Sequence, residues 1–244
     1  MRSGWKIVLC SAFAFATAPV AAQNLITNGS FETPIVPAGS FTDFPSGSTL
    51  ITGWTVFGPA GGVSIVSGSF SQSGVTTPAQ SGAQLLDLTG NGTNSTEGVQ
   101  QTVATIPGHQ YQLTYFIGNN SSGSFFGITS TVNVLINGVQ VFSDTNSAVN
   151  LTSLTWQQFT HTFVASTAST TIGFQNADPP ADSANGLDNV VLTDLTPAAA
   201  VPTLTDGPLL LLAILVASLA FRFLRSKRRP SKVDRRAGAD ARLH

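Results

Sequence analysis

The sequence predicts an all-β fold, a two-sheet antiparallel sandwich over residues 23–195, with a signal peptide before it and one transmembrane helix after it. Three observations lead there. Apolar residues in the middle of the chain come in short runs that alternate with polar ones, as in Tyr111, Leu113 and Tyr115 against Gln112 and Thr114. Turn-forming pairs separate these runs, and no stretch of the middle keeps a helical period. Many short strands with turns at this spacing make a sandwich. Disorder is excluded, because Phe, Trp, Val, Ile and Leu are too frequent and too well alternated for a chain that cannot bury a core.

In order, strands are expected over 24–32, 49–58, 63–67, 83–89, 98–106, 110–118, 131–137, 139–144, 155–165, 170–176 and 187–195. Asn137-Gly138 is the strongest hairpin signal, since both residues accept positive φ in a type I′ turn. Pro107-Gly108 marks a second turn. Residues 68–82 and 119–129, rich in Ser and Gly, are read as loops.

Charge is distributed unevenly. All 11 Lys and Arg lie at or before Lys6 or at or after Arg222. Between Asn24 and Asp206 the chain carries ten carboxylates and no basic residue except His109 and His161. A buried carboxylate in that region has no internal Lys or Arg to pair with, so it needs hydrogen bonds, a proton or a metal ion. A domain with a formal charge of about −10 repels phosphate backbones, which excludes nucleic acid as a partner.

The two ends carry their own signals. Arg2 and Lys6, the apolar run Ile7–Ala18 and the small residues Val20-Ala21-Ala22 read as a signal peptide over 1–22, cut near Gln23. That cut removes Cys10, the only cysteine. Residues 196–208 form a linker, 209–224 an apolar stretch near the lower limit of a membrane helix, and 225–244 a basic tail expected to stay in the cytoplasm. The series Val201-Pro202-Thr203-Leu204, a short polar spacer, an apolar helix and an arginine cluster resembles the IPTL-CTERM sorting signal, a relative of PEP-CTERM. The resemblance implies an exported protein of a Gram-negative bacterium, held at the inner membrane and processed at the motif by a membrane-embedded sorting protease. It departs from the usual spacer at Thr205-Asp206-Gly207-Pro208.

The middle has ordered motifs of its own. It opens on Asn24-Leu25-Ile26-Thr27-Asn28-Gly29-Ser30-Phe31-Glu32, followed by Gly53-Trp54, Leu86-Asp87-Leu88 and Gln100-Gln101-Thr102-Val103. Next come Pro107-Gly108 before Tyr111-Gln112-Leu113, then Gly118-Asn119, and Gly186-Leu187-Asp188-Asn189-Val190 closes the series. This order resembles the galactose-binding-like jelly rolls of the choice-of-anchor C group, which are distantly related to carbohydrate-binding modules. The resemblance implies a two-sheet jelly roll and a sugar-related role, without naming a ligand.

Candidate site residues follow. Glu32 and Asp188 lie in the opening and closing motifs, and in a jelly roll the first and last strands can lie side by side. Hard carboxylate oxygens suit Ca2+, and the resemblance implies a structural Ca2+ where those strands meet. Both carboxylates could instead be exposed, or bound to backbone amides of the opening turn. Asp178, Asp182 and Asn185 form an acidic loop without EF-hand spacing, read as solvated or as a peripheral ligand to the same ion. Asp87 faces away from Leu86 and Leu88, onto solvent or onto a sugar-binding sheet face. Phe125 and Phe126 sit together in a Ser/Gly-rich loop and Trp156 opens a strand, so these three rings are candidate ligand contacts.

No G-x-S-x-G, H-E-x-x-H or cysteine nucleophile is present in the middle. The expectation is therefore a non-catalytic, exported protein that binds polysaccharide. The alternative is a structural or adhesive surface protein that contacts other proteins and no sugar.

Overall fold

A computed structural model of the chain describes residues 23–59, 61–90, 96–123, 126–180, 182, 185–196 and 206–227. It divides into two units, Met1–Pro197 and Ala198–His244. Among the described residues the first holds thirteen strands: β1 (Phe41–Phe44), β2 (Thr55–Phe57), β3 (Val63–Ser67), β4 (Ser71–Gln72), β5 (Val75–Thr76), β6 (Gln84–Asp87), β7 (Gly98–Ala104), β8 (Gln110–Asn119), β9 (Ser130–Ile136), β10 (Val139–Asn146), β11 (Thr155–Val164), β12 (Ser169–Asn176) and β13 (Gly186–Asp194). The second holds one helix, α1 (Asp206–Lys227).

The strands form a six-stranded sheet A in the order β1-β3-β6-β13-β8-β11, a five-stranded sheet B in the order β10-β9-β12-β7-β2, and a small β4-β5 hairpin. Every strand pairing is antiparallel. The two-sheet sandwich fits a jelly roll. Alternation does what it predicted: Val132, Val134, Ile172, Phe174 and Val99 from sheet B meet Leu86, Leu113, Tyr115, Ile117, Leu187 and Leu192 from sheet A in one core. A chain of rings runs through it, Phe31 on Trp54 at 5.3 Å, Trp54 near Phe174 at 6.2 Å, and Phe174 edge-on to Tyr115 at 5.0 Å. Asn137 (φ 52°) and Gly138 (φ 79°) turn β9 into β10 as expected.

The opening segment differs from the expectation. Residues 24–32 are not a strand. Asn28 and Phe31 both take φ 54°, and the Phe31 amide turns back onto the Asn28 carbonyl. The segment still runs antiparallel along β13, through Leu25 N to Leu192 O (2.8 Å) and Val190 N to Gly29 O (2.9 Å). Asn24 works as a side-chain rung, its Oδ1 accepting from Leu192 N and its Nδ2 donating to Val190 O. Two other expectations need correction. The strand placed over 49–58 shortens to β2, because Trp54 N closes a turn onto Ile51 O. Phe41–Phe44 is a strand the sequence reading did not place, and the β4-β5 hairpin lies inside the stretch 68–82 that was read as loop.

At the other end, among the described residues no helix is long and apolar enough to cross a membrane. This corrects the transmembrane helix expected over 209–224. The apolar run from Leu209 to Phe221 spans about 20 Å at 1.5 Å per residue, against a hydrocarbon core of about 30 Å, and Arg222 and Arg225 follow. The signal peptide over 1–22, Val201-Pro202-Thr203-Leu204 and the basic tail beyond Lys227 lie outside the described residues.

At Gly29 the opening segment packs tightly against β13. A Cβ there would fall 2.1 Å from the Val190 carbonyl oxygen. Gly29→Ala should cost about 1–3 kcal/mol by prising the segment from β13. The urea midpoint of the full chain measures it; an unchanged midpoint would show that this contact holds nothing.

Candidate functional site

Glu32 and Asp188 do converge, on a single loop. Successive amides of residues 80–84 close on them: Gln80 N and Ser81 N donate to Asp188 Oδ2 (2.8 and 3.0 Å), and Ala83 N and Gln84 N donate to Glu32 Oε1 (2.9 and 3.0 Å). Asn189 N adds a bond to Asp188 Oδ1 at 2.6 Å. Gly82 sits between the two amide pairs at φ 74°, and a Cβ there would lie 2.3 Å from Glu32 Oε1. Gln84 completes the arrangement, accepting from Val36 N and donating to the carbonyls of Phe31 and Pro34. Asp188 is fully buried; burial, with the Glu32 charge adding to it, pushes its carboxyl up to about 7 against the pull of its amide bonds. Among the described residues no cluster of three or more His, Cys, Asp or Glu could hold a metal. A groove of about 460 Å³ opens beside the clamp, lined by Glu32, Ile35, Ala38, Ser69, Pro78 and Ala79 among others.

Asp87 and Trp156 both lie on the outer face of sheet A, where Phe126 shares a cavity wall with Asp87. One row crosses all six strands in register: Asp43, Ser64, Asp87, Gly186, Gly118, Trp156. The two glycines leave room for the Trp156 indole, which a Cβ on Gly118 or Gly186 would meet at 2.9 and 3.1 Å. The indole N–H donates to Pro78 O at 2.9 Å, and the ring packs with Val66, Leu85, Leu154, Phe70 and Ala79 into a small second core. A cavity of about 50 Å³ lies there, with Asp87, Asn185, Phe126 and Leu154 in its wall. That volume suits water rather than a sugar ring. Phe126 is buried, and Phe125, the other ring of that candidate pair, lies outside the described residues. Asp87 Oδ1 accepts from Thr89 N, Thr89 Oγ1 and Asn185 N, while burial pushes the group up to about 6.

The outer face of sheet B is built differently. Its rows, read across registered strands, are Ser143-Asn133-Gln175-Gly98-Phe57 and Leu135-Gly173-Gln100-Thr55, with Thr171 beside Thr102 and Thr131 beside Thr145. Amides and hydroxyls cover it, half-buried or exposed, and among the described residues no titratable side chain stands on it. Gly98 lets the Phe57 ring lie against the sheet, since a Cβ would fall 2.6 Å from the ring. Leu135 covers Gly173 in the same way, at 3.3 Å. The sequence reading missed this face. Its signal was there in the alternation Gln100-x-Thr102, Asn133-x-Leu135 and Thr171-x-Gly173-x-Gln175.

Both histidines are tied to carboxylates, His109 Nδ1 to Asp194 Oδ2 at 2.7 Å and His161 Nε2 to Asp144 Oδ2 at 2.6 Å. Asp144 also accepts the Tyr115 hydroxyl, which burial and the Asp144 bond and charge hold protonated, well above its usual range. Phe142 stacks on the His161 ring at 4.0 Å. This set joins strands of the two sheets and contains no nucleophile poised for attack.

Asp178, on the loop after β12, is pushed up to about 7 by burial, as Asp188 is. Asp87, Asp178 and Asp188 each bind a proton more tightly in the folded chain than in the unfolded one. Stability should therefore be greatest near pH 4 and fall as pH rises to about 7. Melting temperatures in chelator should be several degrees higher at pH 5 than at pH 8; a flat or rising profile would contradict the burial of these charges.

Comparison with known proteins adds three findings. No curated protein matches the chain. Among solved structures, the Stig cyclase Fisc from Fischerella sp. TAU is 21% identical, covering 73% of this chain and 100% of its own, with a TM-score of 0.51. The carbohydrate-binding module TmCBM61, solved with β-1,4-galactotriose, is 17% identical over 71% of this chain and 99% of its own (TM-score 0.42), and the CBM22-1 xylan-binding domain of Paenibacillus barcinonensis Xyn10C is 18% identical over 67% and 99% (TM-score 0.41). At such identity the cyclase shows a shared fold only. Residues 24–193, from the opening segment to the end of β13, match the family described as a protein of unknown function, DUF642, and the chain belongs to that family.

Proposed function

We propose that the domain is a non-catalytic module that binds a neutral polysaccharide on the outer face of sheet B. The observation that carries this reading is the uncharged lattice of Gln100, Asn133, Gln175 and neighbouring hydroxyls around the Phe57 ring. Strands about 4.8 Å apart, with same-face residues about 7 Å apart along each strand, give donors and acceptors at the scale of sugar hydroxyls. The ring and Leu135 offer apolar surface to the CH face of a pyranose. A domain with nine carboxylates and no Lys or Arg over residues 23–195 disfavours acidic polymers. The contact thus moves from Asp87, Phe126 and Trp156, which are committed to internal contacts, to the opposite sheet.

Export through the segment 1–22, sorting at Val201-Pro202-Thr203-Leu204 and a final place at the cell surface or in its matrix belong to the same proposal. Their support is the restriction of basic residues to the two ends. A structural Ca2+ at Glu32 and Asp188 belongs to it as well. Amides already answer three of the four carboxylate oxygens, so Glu32 Oε2 is the oxygen an ion would take first, with Asp188 Oδ1 beside its single amide bond as the second. The donor set therefore fits only an ion completed by carbonyls and water. Calcium should raise the melting temperature, and Glu32→Gln should reduce that rise. If Glu32→Gln responds to calcium as the parent does, the amide clamp is the whole of the arrangement.

Affinity electrophoresis of the full chain in gels containing xylan, galactan or mannan tests the glycan reading. Retardation by at least one is expected, weakened tenfold or more in Gln100→Ala and Gln175→Ala with melting temperatures unchanged. Trp156→Phe should bind like the parent. No retardation in any gel, or equal retardation of all variants, would move the assignment to the adhesive, protein-contacting alternative.

A further inference from the structure

We infer that the end of the sandwich between the loop after β12 and the start of β13 holds a second cation site, for a hard divalent ion of the Ca2+ class, with Asp178 and Asn185 as its first ligands. Asn185 is fully buried, and Asp178 is 8% exposed. Both grip the same two residues. Asn185 Nδ2 donates to Thr131 O (2.6 Å) and to Asn176 Oδ1 (2.8 Å). Asp178 Oδ1 accepts from Thr131 N (2.5 Å), and its own amide donates to that same Asn176 Oδ1 (3.1 Å).

These bonds fix what is left over. With its NH₂ group committed to two acceptors, Asn185 must point Oδ1 the other way. With Oδ1 committed to Thr131, Asp178 presents Oδ2. Asp178 Oδ2 and Asn185 Oδ1 are both buried, and neither has a hydrogen-bond partner among the described residues. Two side chains clasping one residue from its N–H and C=O sides thus each leave a hard, acceptor-only oxygen inside the protein. A buried acceptor left unanswered costs about 1–3 kcal/mol, and two together call for something positive.

The surroundings point to charge rather than to another donor. Asp182 and Asp87 both act on Asp178 electrostatically, Asp87 binding the Asn185 amide and Asp182 lying against Gly127, where a Cβ would fall 2.3 Å from its carboxylate. No Lys or Arg exists between Lys6 and Arg222 to balance them. All donors are oxygens, which excludes soft metals, and irregular loop geometry suits calcium better than octahedral magnesium. With only two fixed protein oxygens, the site should be weak, with Kd about 10⁻⁴–10⁻³ M. The competing occupant is a proton shared between Asp178 Oδ2 and Asn185 Oδ1.

Calorimetric titration of the full chain with CaCl₂ at pH 7.5 separates the two, using Glu32→Gln/Asp188→Asn as background so that only this site is read. The expected result is calcium binding in that background, lost at least tenfold in the added Asp178→Asn. Asn at 178 can donate to Asn185 Oδ1, so this variant should fold and melt at or above its parent without calcium. Undiminished binding in Asp178→Asn would overturn the site. So would an absence of binding accompanied by a fall in melting temperature through pH 7 that Asp178→Asn removes, which would assign the pair to a proton.

Discussion

A domain that buries carboxylates but owns no lysine or arginine must neutralise them with its backbone, and much of this structure follows from that constraint. Asp188 takes three amide N–H groups and Glu32 two. Glu97, almost fully buried, accepts from Gly61 N. Aiming consecutive amides at one oxygen bends the chain, and the bends appear as the glycine at 82 and the positive φ of Asn189. The opening segment cannot be a plain strand for the same reason. It must both run along β13 and present Glu32 to the 80–84 loop.

The two outer faces are consequently unequal. Sheet A is roofed by the β4-β5 hairpin and by Trp156, whose indole is anchored at Pro78, and its row from Asp43 to Trp156 is committed to internal contacts. Sheet B keeps its outer face in solvent, carrying groups that neither titrate nor attract ions. Burial of charge on one side and neutrality on the other separate what stabilises the domain from what it can offer a ligand.

The long strands were legible in the sequence because alternation and turn chemistry agree there. The segment 63–67 is β3 to the residue, and β7 to β13 lie within two residues of their expected bounds. Asn137-Gly138 formed its turn because local preference and global register coincide. The opening segment was misread because Leu25, Ile26 and Phe31 look like strand residues, while the turn at Asn28 is imposed by contacts far along the chain. β1 was missed because a four-residue edge strand between Gly39 and Pro45 has little pattern of its own. Convergence of Glu32 with Asp188 was foreseeable from the ends of the motif series. Their actual partner, the 80–84 loop, was not, since backbone amides leave no trace in residue identity. The pairing of Asp178 with Asn185 was hidden likewise, because it depends on Thr131 and Asn176, one of them over forty positions away.

The antiparallel run of the opening segment along β13 has a mechanical consequence. Residues 24–25 lie against Leu192, so the chain enters and leaves the fold at neighbouring points. Tension applied across those two points would peel the segment away one bond at a time. Tension applied at the exit and resisted elsewhere in the domain would instead load β13, a central strand flanked by β6 and β8, with its hydrogen bonds sheared together. The same protein would thus be soft when stretched between its ends and stiff when hung from one end and held by its body.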